Sequence, residues 1–141
     1  MEILTNQSTV LWVDDDADDL MMINHVLSEM RHHVNLVEAG NGKEALDHLK
    51  NLLDQEVIPC LIVLDLNMPG MDGKQTLQYI RSHKQYQAIP IVVFTTSDRP
   101  TDIAFCKQYN APFFTKPIDY KSLKKTMEQI LGFCKTVTDN V

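Results

Sequence analysis

The chain has 141 residues, 44% hydrophobic and 23% charged, the make-up of one globular domain with no room for a second of ordinary size. Its formal net charge of −6 argues against a direct nucleic-acid ligand, because phosphate binding needs a basic face. No apolar run approaches membrane-spanning length, and the start, MEILTNQST, lacks the basic and apolar regions of a secretion signal, so a cytoplasmic protein with no membrane partner is expected.

The first apolar run, Thr9 to Val13 (TVLWV), reads as a strand. A helix-like stretch follows with Leu20, Ile23, Leu27 and Met30 on one face. Val34 to Ala39 alternates like a strand, and after the Asn41-Gly42 turn Ala45, Leu46, Leu49 and Leu53 mark a second helix. Cys60 to Leu64 (CLIVL) is continuously apolar, as a strand covered on both faces should be. Leu77 and Ile80 lie in a third helix, and Ile91 to Phe94 (IVVF) is a second buried-type strand. Ile103 to Tyr109 predicts a short fourth helix and Phe113 to Thr115 a brief strand. Leu123, Met127, Ile130 and Leu131 give the last helix its core face.

Five strands alternating with five helices imply parallel strands joined by helical crossovers, hence a doubly wound α/β sheet covered on both faces. Residues 9–133 are expected to form the domain, with 1–8 as an N-terminal extension and 134–141 as a C-terminal tail. The three cysteines, Cys60, Cys106 and Cys134, are odd in number and far apart, which suits a reducing compartment and the role of small buried hydrophobes. The five histidines read as surface residues, and the methionines, Met21 and Met22 among them, as core or helix-face packing.

Ligands of open α/β sheets bind beyond the carboxyl ends of the strands. Those ends carry Asp14, Asp15 and Asp16, then Asp65, then Thr95, Thr96 and Ser97, then Lys116 and Pro117. Carboxylates from two strands make an all-oxygen site for a hard cation, and Mg²⁺ needs few protein ligands and commonly bridges to phosphate. A hydroxyl and a lysine beside it would donate to phosphoryl oxygens, and an aspartate can be the nucleophile by forming an aspartyl phosphate. Asp65 is the candidate, since it ends the most apolar strand and precedes a turn-forming stretch. Asp16 sits where a helix N-cap belongs, with Asp18 and Asp19 in the first turn facing the positive helix end, so those three take a structural reading. Asp72 and Gly73 read as turn and cap of the third helix, and Thr96 and Ser97 as a cap or the rim of the site.

The set VDDD (13–16), LDLNMPGMDG (64–73), VVFTTSD (92–98) and TKP (115–117) resembles the receiver domain of bacterial response regulators, from about Thr9 to Phe133. The resemblance implies a five-stranded (βα)5, flavodoxin-like and CheY-like sheet of order 2-1-3-4-5, in a stand-alone, single-domain response regulator. It makes Asp65 the phosphoacceptor, with Asp15 contacting Mg²⁺ directly, Asp14 acting largely through metal-bound water, and Asn67 lending its backbone carbonyl. Thr95 becomes the hydroxyl that moves to the phosphoryl group, and Lys116 the lysine that pairs with it, before a Pro117 whose peptide bond is usually cis in the family. Phe113 falls at the aromatic switch position, where without a hydroxyl it would work by ring packing.

The partners implied are a sensor histidine kinase or histidine phosphotransfer protein and a downstream protein read through the α4–β5–α5 face, roughly residues 99 to 133. The protein would be a monomer or homodimer and a signalling phosphoacceptor that catalyses only its own phosphorylation and dephosphorylation. Haloacid-dehalogenase-type phosphatases use similar groups but place an acid two residues past the nucleophile, where this chain has Asn67. A degenerate receiver serving as a binding module would have lost Asp65 or Lys116, and a flavodoxin-like carrier would need a hydroxyl- and Gly-rich phosphate loop after the first strand.

Overall fold

Each apolar run folds as a strand and each amphipathic stretch as a helix, in a computed structural model that describes residues 8–30, 34–68 and 70–134. The order is β1 (Ser8–Val13), α1 (Ala17–Glu29), β2 (Val34–Ala39), α2 (Gly42–Asp54), β3 (Leu61–Leu64), α3 (Gly73–Ser82), β4 (Ile91–Thr95), α4 (Pro100–Gln108), β5 (Phe113–Thr115) and α5 (Tyr120–Leu131). All pairings are parallel, in the order β2-β1-β3-β4-β5. The doubly wound α/β expectation and the 2-1-3-4-5 order are both met.

Alternation along the central strands builds two cores. Leu11, Val13, Ile62, Leu64, Ile91 and Val93 pack under α2, α3 and α4. Val10, Trp12, Leu61, Val63, Val92 and Phe94 pack under α1 and α5. Since β1, β3 and β4 are covered on both faces, their runs are continuously apolar. The helices bury the faces read from their spacing: Ala45 and Leu49 on α2, Leu77 and Ile80 on α3, Met127, Ile130 and Leu131 on α5.

Several expectations need correcting. Helix α4 starts at Pro100, not Ile103, because proline is pre-set for the first helical position. Met21 and Met22 are 71% and 44% exposed, since Ile23 and Val26 occupy the inward face of α1. Cys60 and Cys134 are not separate buried hydrophobes: they form a disulfide, with Cα atoms 4.9 Å apart, and only Cys106 is free and buried. The fold brings the start of β3 against the end of α5 across a separation of 74 residues, a proximity that spacing alone hides.

Cys134 is therefore anchored rather than part of a loose tail, and Ser8 pairs with Val34 inside the sheet rather than in an extension. Residues 1–7 and 135–141 lie outside the described residues, as do His32 and His33. Of the other histidines, His25 is exposed, whereas His48 and His83 are half-buried, the latter stacked on Tyr79. No helix among the described residues is long and apolar enough to cross a membrane.

Candidate functional site

The register of the sheet decides what meets at its carboxyl edge. Val13 pairs with Leu64, so Asp14 and Asp65 leave β1 and β3 at the same height. Both stay tied to the ladder, the Asp14 amide donating to the Ala39 carbonyl and the Asp65 amide to that of Val13. Thr95 pairs with Thr115, and the Lys116 amide donates to the Thr95 carbonyl at 2.7 Å. Four neighbouring strands thus deliver two acids, a hydroxyl and an ammonium to one place.

Asp14 is 1% exposed, and its carboxylate accepts from the Asp16 amide at 2.9 Å and from Lys116 Nζ at 2.7 Å. Burial pushes its pKa up, against these hydrogen bonds, which pull it down. Asp65, also buried, accepts from the Asn67 amide at 3.2 Å and from Lys116 Nζ at 3.1 Å. Asp15 completes the set from the exposed rim: one carboxylate oxygen from each of Asp14, Asp15 and Asp65 lies within 4.8 Å of the others. Such an oxygen set fits a hard divalent cation.

Lys116, 11% exposed, is the counter-charge inside this pocket. Burial works against its charge, but the hydrogen bonds it donates to Asp14 and Asp19 and the charge of Asp65 outweigh it and raise its pKa. The bond to Asp19, 2.7 Å, has no counterpart in the sequence reading, which gave that residue to the helix start. Asp16 does cap α1, accepting from the Asp18 and Asp19 amides, so the capping reading holds for Asp16 and is incomplete for Asp19. No cis peptide bond occurs among the described residues, so Lys116–Pro117 is trans, the form X–Pro bonds prefer by about 0.5–1 kcal/mol.

Thr95 is fully buried; its Oγ1 lies 3.4 Å from both Asn67 Nδ2 and the Ser97 amide. Phe113 is half-buried against the core beneath α4. Asp72 caps α3 through a capping box with Gln75, as expected. Ser97 does not cap α4, whose N-cap position is Arg99 with no side-chain cap; the Ser97 hydroxyl instead donates to Asp102. Asp102 went unnoticed in the sequence. It is 1% exposed on α4 and meets Lys74 of α3 at 2.6 Å and Arg99 at 3.2 Å. The local signal for it is an acid in the first turn after Arg-Pro, which a helix read from Ile103 leaves outside.

Fold and pocket together define a class, the doubly wound domain with an acid cluster at its carboxyl edge. Residues 10–128 match the response regulator receiver domain, and the chain belongs to that family, the receiver of two-component signalling. Protein PilH of Pseudomonas aeruginosa is 29% identical over 124 residues, covering 87% of this chain and 97% of its own. The Mn²⁺-bound response regulator Rcp1 superimposes with a TM-score of 0.79 at 29% identity, over 89% of this chain and 93% of its own. The phosphorylated cyanobacterial phytochrome response regulator RcpA gives 0.83 at 26% identity, over 93% and 99%.

Proposed function

We propose that this receiver accepts one phosphoryl group on Asp65 with Mg²⁺ and signals through the α4–β5–α5 face. The observation that carries the reading is the placement of Asp65: buried, 3.1 Å from the Lys116 ammonium and inside the oxygen set shared with Asp14 and Asp15. Asp14, Asp15 and Asp65, with the Asn67 carbonyl, would hold Mg²⁺, whose contribution is to neutralise charge on the phosphoryl oxygens.

The chain's own groups do the rest. An oxygen of Asp65 attacks the phosphorus in line, the new O–P bond forming as the donor's N–P bond breaks. The electron pair stays on the departing imidazole of a phosphohistidine. Lys116 turns one hydrogen from Asp65 toward a phosphoryl oxygen, and Thr95 donates its hydroxyl to another. Because the Lys116 amide hangs on the Thr95 carbonyl, the two movements are coupled. They bias two arrangements of the face that includes Phe113, whose ring contributes by packing.

A histidine kinase or phosphotransfer protein supplies the group, and a downstream protein reads the result. The acid–base residue that a phosphatase needs two positions past the nucleophile is here an amide, Asn67, within 3.4 Å of Thr95. That supports signalling over turnover of an external substrate.

Acetyl phosphate with Mg²⁺ is expected to add one phosphoryl group to the protein and none to Asp65→Asn. Label persisting in the variant overturns the assignment. Mg²⁺ alone should raise the melting temperature by mass action, as any ligand that binds only the folded acid cluster must. No shift at millimolar Mg²⁺ counts against the metal site.

A further inference from the structure

Lys116 has three ammonium hydrogens and meets three carboxylates: Asp14 at 2.7 Å, Asp19 at 2.7 Å and Asp65 at 3.1 Å. Asp14 and Asp65 belong to the oxygen set suited to a divalent cation; Asp19 does not. Nor is the Asp19 carboxylate needed as the cap of α1, since Asp16 fills that position with hydrogen bonds to the Asp18 and Asp19 amides. The Asp19 side chain is 40% exposed, yet it reaches across 97 residues of sequence to the ammonium. Together they wall a groove of about 240 Å³ between α1 and the loop before α5, which Met22, Phe94 and Tyr120 also line.

A divalent cation on Asp14 and Asp65 would draw on the same negative charge that now holds Lys116. Asp19 would then be the partner whose charge remains undivided. We propose that Asp19 is a positioning residue, holding the Lys116 ammonium at the mouth of the acid pocket so that it meets the incoming phosphoryl group already oriented. The proposal rests on the receiver reading above. It means that only the hydrogen bond to Asp65 must switch to a phosphoryl oxygen, while the one to Asp19 stays and fixes the geometry.

The test compares Asp19→Ala and Asp19→Glu with Asp18→Ala, a neighbouring first-turn acid that makes no bond to Lys116. The first readout needs neither metal nor phosphorylation: the ¹⁵N–¹H signal of the Lys116 ammonium, assigned by its loss in Lys116→Arg. It should be protected from exchange in the native protein, in Asp18→Ala and in Asp19→Glu, and lost in Asp19→Ala. The second is phosphorylation by acetyl phosphate at saturating Mg²⁺. The maximal rate should fall about tenfold in Asp19→Ala with no rise in the half-saturating acetyl phosphate concentration, and recover in Asp19→Glu.

An ammonium signal unchanged by Asp19→Ala overturns the proposal, and so does a lost signal with an unchanged maximal rate. A rate that falls equally in Asp18→Ala assigns the effect to the helix end and overturns it too. If the native protein accepts no phosphoryl group, the receiver reading fails, and the ammonium signal alone decides whether Asp19 holds Lys116.

Discussion

Gly73, the first residue of α3, lies so close to the backbone of Asp65 and Leu66 that a β-carbon there would overlap the Asp65 carbonyl. Its amide also donates to the Leu66 carbonyl, pinning the turn that follows β3. Gly73→Ala must push backbone against backbone. It should destabilise the fold by about 1–3 kcal/mol, measured as a lower urea midpoint, and slow phosphorylation by displacing Asp65. Asp14 poses the opposite case. Burial raises its pKa above the ordinary 3.8, so the fold prefers the protonated acid and loses stability as pH rises from that value through the folded one. Asp14→Asn should therefore melt higher than the native protein at pH 7 without metal, and gain less from Mg²⁺. A lower melting point would mean that the carboxylate's bonds to Lys116 and the Asp16 amide outweigh its burial.

Helix α4 is held at its start by a cluster of polar contacts. It has no side-chain cap, and Asp102 in its first turn is fixed by Lys74, Ser97 and Arg99. Hydrogen bonds from Lys74 and Ser97 bring the Asp102 pKa down to about 2. A depressed value adds stability that is complete above the ordinary 3.8 and is lost as pH falls toward about 2. The melting-point gap between native protein and Asp102→Asn should be widest above pH 4 and close between pH 4 and 2. Amide exchange in residues 100–108 should quicken in Asp102→Asn while β3 and β4 stay protected. The same helix marks the limit of sequence reading. Buried strands and amphipathic helices announce themselves through runs and spacing, and so did Asp14, Asp65, Thr95 and Lys116, each at a strand end. Asp19 and Asp102 do not, because nothing local says which distant lysine a first-turn acid will meet.

For the molecule as a whole, the Cys60–Cys134 bond is the one covalent contact between distant segments that the described residues contain. Joining residues 74 apart removes chain entropy from the unfolded state worth about 4 kcal/mol. Dithiothreitol, or Cys134→Ser, should lower the melting temperature by roughly 10 °C, with Cys106→Ser as the control because that thiol is free and buried. An unchanged melting point would mean that the bond adds nothing to the native protein's stability.

The bond also gives the molecule a fixed point. Cys60 and Asp65 bracket β3, so the strand ends in the staple at one side of the sheet and in the acid pocket at the other, roughly 16 Å away at 3.3 Å per residue. Helix α5 runs back from the loop bearing Lys116 to the same staple at Cys134. The bond fixes the distance between the foot of β3 and the end of α5 at Cys134, whereas among the described residues the end of α5 beside Lys116 is held by noncovalent contacts alone.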